Sequence, residues 1–545
     1  LGITGAEGEY EVKAGKQVLR VLYIVMGIVF LPVAFCVIFI GNRMNYNQGL
    51  KLTALFPNYV LFLLALLGAA GICLLALWAK RIRLTPKTNL IVNIVLAVSF
   101  LILFFINVRI AKEIAFRLPW DVGVVDVEAR KLAEGIPLGY NVYFSMYSNN
   151  VPMVYFLKQL YVEARELGTY PYVYEFVWLE VNCALISLGG FFCCLTVKRL
   201  TKEILPTVLA FLLYLALAGI SPWKISPYTD TYGMAFPIMC IYFYLCYRDA
   251  QRIGEKYVFM ALSMIGGAAG GLLKPSGYIV VMAVLGVELI SLLTARGRGW
   301  KYFLAEVGLA AALLLARQAY VDHMMEDIGL DFNPEIEASW QNYFYMGLNE
   351  ESTGSYHPGD AGIIGEFQTD KNARNQAALE RAFARMEERG LFGSIYYWLR
   401  KMTMVFNDGT FGWRGEVWIN EPYPEGLAGN DGLTVFLRDL FWPEGNHVGR
   451  YNTLSQLAWI FCIFGISGIC LCPEGQREKY AVTVASFLGI FFYQMLFEAR
   501  ARYLLVFFPL LAALSVCGMW QYVRLTAKGL EGWRLARQKI QTVLK

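Results

Sequence analysis

A recurrence of uncharged apolar runs constrains this chain more than any other feature. Val18–Ile40, Tyr59–Trp78, Asn89–Val108 and Tyr257–Leu273 are the clearest of them, and a helix needs about 20 such residues to cross a hydrocarbon core. None shows the alternation of a membrane β-barrel strand. Only 17% of the 545 residues are charged, against roughly 25% in soluble domains. The sequence therefore predicts an all-α polytopic membrane protein. Twelve transmembrane helices are expected, over 18–40, 59–79, 89–108, 172–196, 204–220, 232–247, 257–273, 278–294, 302–320, 452–472, 480–497 and 503–523.

Charge in the short connections gives the expected orientation, because Lys and Arg are retained on the cytoplasmic side. One set of connections holds Lys80, Arg81, Arg83 and Lys87, then Lys198, Arg199 and Lys202, then Arg248, Arg252 and Lys256. Arg296, Arg298, Lys301, Arg477, Lys479 and a basic tail at 524–545 extend it. The opposite set holds only Arg43, Lys51, Lys224, Lys274, Arg500 and Arg502. Both termini are expected to be cytoplasmic in the plasma membrane, with 109–171 and 321–451 outside. The divisions follow: an N-terminal hairpin (1–88), a transmembrane core (89–320), an extracytoplasmic mixed or helical domain (321–451), C-terminal helices (452–523) and the tail.

The outer segments carry their own helical signals. Asp370–Arg389 is rich in strong helix formers, with Gly390 as a terminator. Leu391–Phe406 mixes aromatics with Arg400 and Lys401 and reads as a helix lying in the interface. The eleven cysteines all fall in or beside apolar runs, which suits packing rather than a disulfide framework or a zinc site. Gly266–Gly271 lies within an apolar span, where small residues serve close helix packing. His323, His357 and His447 are irregularly spaced, and a net charge of +5 distributed by topology suggests no nucleic-acid partner.

Charged groups at membrane boundaries are costly unless paired or facing a wet cavity, so they are default candidates for function. Six gather at the outer ends of spans: Asp121 in Leu118-Pro119-Trp120-Asp121, Asp230 in Ser226–Tyr232, Lys274 before Pro275, and Glu498, Arg500 and Arg502 in Phe497–Tyr503. Basic groups meeting acids at one wet face suit a ligand that carries a phosphate and a reacting hydroxyl. Asp126 and Glu128 are the next acidic candidates, against a simpler reading as a solvated helix face.

This layout resembles the GT-C superfamily of membrane glycosyltransferases, particularly the protein O-mannosyltransferase and aminoarabinose-transferase branch. Asp121 takes the first position of that branch's Asp-Glu pair, with Val122 at the second. Ser148-Asn149-Asn150-Val151-Pro152-Met153 stands where the branch has a Lys-Pro-Pro-Leu-like stretch. Met346–Asn349, Asn407–Trp413 and Phe497–Tyr503 are similar to stretches in integral membrane sugar transferases of Gram-positive bacteria. The similarity runs from about residue 89 onward and makes the first two spans an added hairpin.

The resemblance implies transfer of a monosaccharide from a polyprenyl-phosphate donor to a hydroxyl of a cell-envelope glycan, lipid or protein. Asp121 is the expected general base. Lys274, Arg500 and Arg502 are expected to neutralise the leaving phosphate. Asp230 and Glu498 would orient those cations or bind sugar hydroxyls, and Asn149, Asn150, Tyr228, Asp408 and Trp413 are candidate sugar or acceptor contacts. No cofactor is required by these residues; a divalent metal stays open. The competing class is a transporter or flippase for a lipid-linked sugar, although such proteins usually hold ionisable groups near the bilayer midplane.

Overall fold

The computed structural model describes residues 5–44, 51–78, 85–167, 174–294, 299–418, 421–422 and 431–543. Among them, 10 helices are long and apolar enough to cross a membrane. They match ten of the twelve expected spans. The other two are helical but short: Ile204–Gly219 ends in a π-turn, and Ala235–Asp249 has 15 residues. At about 1.5 Å per residue, each falls short of a hydrocarbon core of roughly 30 Å. Apolar composition marks a helix as buried in lipid or protein, and cannot by itself say how far the chain continues before it turns.

The Ala501–Gly532 helix is the hub, with 94% of its apolar window inside the protein, whereas Trp300–Asp327 has only 11% buried. The first helix, Gly5–Phe35, packs against Tyr278–Thr294 and Arg477–Leu496. Asn58–Trp78 packs against Val448–Ser467. The N-terminal hairpin is thus built into the bundle. Local sequence sets several of these elements. Thr85 and Thr88 exchange side-chain-to-backbone bonds around Pro86 to open Pro86–Ile114, a capping box with proline at the first helical position. In the glycine run, a Cβ on Gly267 would meet Val281 at 2.3 Å and one on Gly271 would meet Tyr278 at 2.4 Å. Close helix packing accounts for those glycines.

The segments between spans are mostly helical. Lys371–Phe406 is two helices joined at Gly390, whose φ of 59° breaks the path. Past it, Leu391 and Phe392 are exposed, but Arg400 and Lys401 are buried. The second helix therefore starts with an exposed apolar face, Leu391, Phe392, Ile395 and Tyr396, and enters the protein at its C-terminal end. It does so because Lys401 Nζ donates to the carbonyls of Gly347 (2.6 Å), Phe497 (2.7 Å) and Met495 (2.9 Å). Tyr345, Leu348, Ile363, Ile364, Ala378, Ala382 and Tyr397 make a small separate core. Among the described residues the strands are one two-residue antiparallel pair, Phe116–Arg117 with Glu421–Pro422. All eleven cysteines are unpaired, nine of them buried.

Candidate functional site

The two short helices leave room for a connection that runs inside the protein. Residues 221–235 are all buried. Such backbone needs internal partners, and it has them: Asn182 Nδ2 donates to the carbonyls of Lys224 (2.7 Å) and Ser226 (3.1 Å). The Lys224 ammonium donates to Asn107 Oδ1 at 2.7 Å. This support holds Tyr228 and Asp230 at the base of a cavity rather than on an exposed loop.

Asp121 reaches the same cavity from the first turn of another helix. Pro119 is extended, and Trp120, the first residue of the Trp120–Ala133 helix, has φ 51°. A bulky side chain in that region costs about 1–3 kcal/mol and is retained where surrounding contacts over-determine it. Here the indole Nε1 donates to the Glu416 carbonyl at 2.8 Å, and the Arg502 guanidinium lies 4.3 Å from the Trp120 ring. Tyr143 donates to Asp121 Oδ1 at 2.8 Å and accepts from Asn150 Nδ2 at 2.7 Å. The Tyr228 hydroxyl is 3.0 Å from Asn150 Oδ1 and 3.4 Å from Asp121 Oδ2. The contact with Asp121 is the longer of the two, and Oδ2 keeps a lone pair for a further donor. Burial, and then the Asp121 charge, pushes the Tyr143 phenol well above its usual range, so it stays a donor.

Three cations and three carboxylates form the adjoining wall. Asp230 bonds Lys274 through one oxygen and Arg502 through the other, the latter at 3.1 Å. Glu416 lies 2.8 Å from Arg502 and 3.4 Å from Arg500. Glu498 is 3.7 Å from Arg500 and accepts from the Tyr503 hydroxyl at 2.9 and 3.0 Å. Burial raises the Glu416 carboxyl despite the two guanidiniums beside it. The Lys274 ammonium is lowered by burial, against the pull of Asp230.

The hollow has two compartments. One, of about 570 Å³, is lined by Trp120, Asp121, Tyr143, Asn150, Glu416 and Arg500. The other, of about 390 Å³, is lined by Ser148, Lys274, Ser276, Arg317 and Trp340. Asn149, Tyr228, Tyr343, Glu498, Arg502 and Tyr503 line both. Among the described residues, no three His, Cys, Asp or Glu side chains are grouped as a metal site.

A family model described as "Conserved hypothetical integral membrane protein" matches residues 12–521. The chain belongs to that family. No curated protein gives a significant match, and no solved structure does. For this integral membrane protein, the matched stretch takes in every cavity residue named above.

Of the residues expected from sequence, Asp121, Asn149, Asn150, Tyr228, Lys274, Glu498, Arg500 and Arg502 line the cavity, and Asp230 sits directly behind it. Asp408 and Trp413 do not. The Asp408 carboxylate accepts from Thr410 N and Oγ1 (both 2.7 Å) and Gly412 N (3.1 Å), closing its own turn. Trp413 is fully buried, its indole donating to the Phe441 carbonyl at 2.6 Å. Asp126 and Glu128 are neither solvated nor in the cavity: Asp126 binds Arg130 (2.7 Å) and Tyr161 (2.5 Å), and Glu128 binds Gly139 N (2.6 Å) and Lys131 (2.8 Å). Sequence reading missed Glu416, Tyr143, Tyr343 and Tyr503. Glu416 lies in a long polar segment, where an acidic residue carries no signal of burial.

Proposed function

We propose that this family member is a glycosyltransferase that moves a monosaccharide from a polyprenyl-phosphate donor to an acceptor hydroxyl. The observation that carries the reading is the Asp121 carboxylate, oriented by Tyr143 in a cavity with one oxygen unsaturated. A general base must combine a fixed position with a free acceptor lone pair. In the reaction, Asp121 takes the acceptor proton as the acceptor oxygen bonds to the anomeric carbon. The bond from that carbon to the phosphate oxygen breaks, and polyprenyl phosphate leaves with the electron pair. Attack from the face opposite the phosphate inverts the anomeric centre.

The ion-paired wall suits the charge that develops on the leaving phosphate, because preorganised cations need no reorganisation at that moment. Asn149 and Asn150 offer amide groups to sugar or acceptor hydroxyls. The charge asymmetry of the short connections supports an outward-facing cavity with both termini cytoplasmic. The decisive experiment is transfer by the Asp121→Asn variant in lipid nanodiscs, alongside mass spectrometry of co-purified lipid. Loss of transfer with the lipid-linked sugar retained is expected. Transfer at the wild-type rate would remove Asp121 from the chemistry and favour the transporter reading.

A further inference from the structure

Among the cations first expected to meet a phosphate, Arg502 is held by Asp230 and Glu416 and Arg500 by Glu416 and Glu498, whereas Lys274 is given one carboxylate, Asp230, and keeps further N–H groups to donate. Arg317 is different. It lines the 390 Å³ compartment, has no ion-pair partner among the described residues, and its Nε is buried without a hydrogen-bond acceptor. Across the same compartment Ser276 is only 5% exposed, and its Oγ also lacks a partner. Buried donors without acceptors are costly, and rotation of either side chain into the compartment it lines would let a ligand supply the acceptor. A guanidinium, a hydroxyl and the Lys274 ammonium all donate, so the ligand group that satisfies them is an anion rich in acceptor oxygens.

The route to that group is also marked. Arg317 lies on Trp300–Asp327, the helix least buried in the protein, and Leu314 and Leu315 just before it are 50% and 75% exposed. An anion reaching Arg317 past those leucines arrives from the bilayer. Trp340, Tyr343 and Phe497 add aromatic surface to the compartment's lining. We infer that Arg317, Ser276 and Lys274 seat the phosphate of a lipid that enters beside the Trp300–Asp327 helix. Its linked group then projects past Tyr228 and Arg502 into the Asp121 compartment. This inference rests on the transferase reading for the identity of the linked group, but the phosphate seat is testable without it.

The test is retention of polyprenyl phosphate by the full chain in phosphatidylcholine nanodiscs, read by native mass spectrometry and by titration. Arg317→Gln is expected to weaken retention by about tenfold or more, as the loss of a charge-assisted hydrogen bond implies. Ser276→Ala should weaken it less. Arg317→Lys should recover part of the loss, and Lys301→Ala, at the other end of the same helix, should change nothing. Melting of the lipid-free variants controls for folding. Unchanged retention in both Arg317→Gln and Ser276→Ala overturns the seat. Inorganic phosphate competing as strongly as the lipid, with the same dependence on Arg317, overturns the bilayer route. Because retention is measured without transfer, Arg317→Gln losing the lipid while Asp121→Asn keeps full transfer would uphold the seat and sink the catalytic reading.

Discussion

Asp121 differs from the other buried or half-buried carboxylates near it in what its oxygens meet. Asp126, Glu128, Asp230 and Glu416 each face a cation; Asp121 faces two phenols and an open compartment. Tyr143 is the closer phenol, so Tyr143→Phe should lower kcat by roughly tenfold to a hundredfold through loss of a hydrogen bond to a charged group, with KM little changed. The pH sign follows from the raised phenol. A group held above its ordinary value keeps its proton through the ordinary tyrosine range, and its contribution is lost only as pH rises past the raised value. Wild-type transfer should therefore show no alkaline limb from Tyr143. A limb in the ordinary tyrosine range, abolished in Tyr143→Phe, would contradict this. Trp120 shows why residue identity alone was insufficient: its positive φ and its stacking on Arg502 depend on partners far away in the chain.

Among the elements, the shortened pair Ile204–Gly219 and Ala235–Asp249 decides where the site lies, since their connection folds inward instead of crossing the surface. The second half of Lys371–Phe406 is the other decisive element. Lys401 fastens it to Gly347 and to the end of Arg477–Leu496, just before Glu498 and Arg500. Lys401→Met keeps the volume but takes the lysine donor from the Met495 and Phe497 carbonyls, while Gly347 O keeps the Tyr397 hydroxyl, which should cost about 2 kcal/mol or more. A clear drop in Tm and loss of lipid retention are expected. A Tm equal to wild type would mean that the lysine does not fasten these elements. Neither feature was legible beforehand: a lysine after an aromatic run reads equally well as an interfacial anchor.

For the whole molecule, helices gather around the largely enclosed Ala501–Gly532, whose start carries the cavity-lining Arg502 and Tyr503. The two helices that flank the buried 221–235 connection, Ile204–Gly219 and Ala235–Asp249, have the basic Lys202 and Arg248 at their far ends. In a cysteine-depleted background, cysteines introduced at Trp418, beside the cavity, and at Lys528, near the basic tail, should react with a membrane-impermeant maleimide from opposite sides. Labelling of Lys528→Cys in intact cells, with Trp418→Cys protected, would reverse the orientation and turn the cavity to the cytoplasm.

The sequence by itself determined the class and the positions of most helices, because the length and hydropathy of a span are local properties that lipid reads directly. It also marked most of the cavity, since a charge beside an apolar span is expensive wherever the span ends up. Only the tertiary structure decided which charges pair and which stay open. Asp408 has the right residue type but satisfies itself within its own turn, and Trp413 is spent on Phe441, while Glu416 carries no local signal and meets Arg500 and Arg502 more than eighty residues away. Pairing is a property of distance in space, and the pattern of residues along the chain does not encode it.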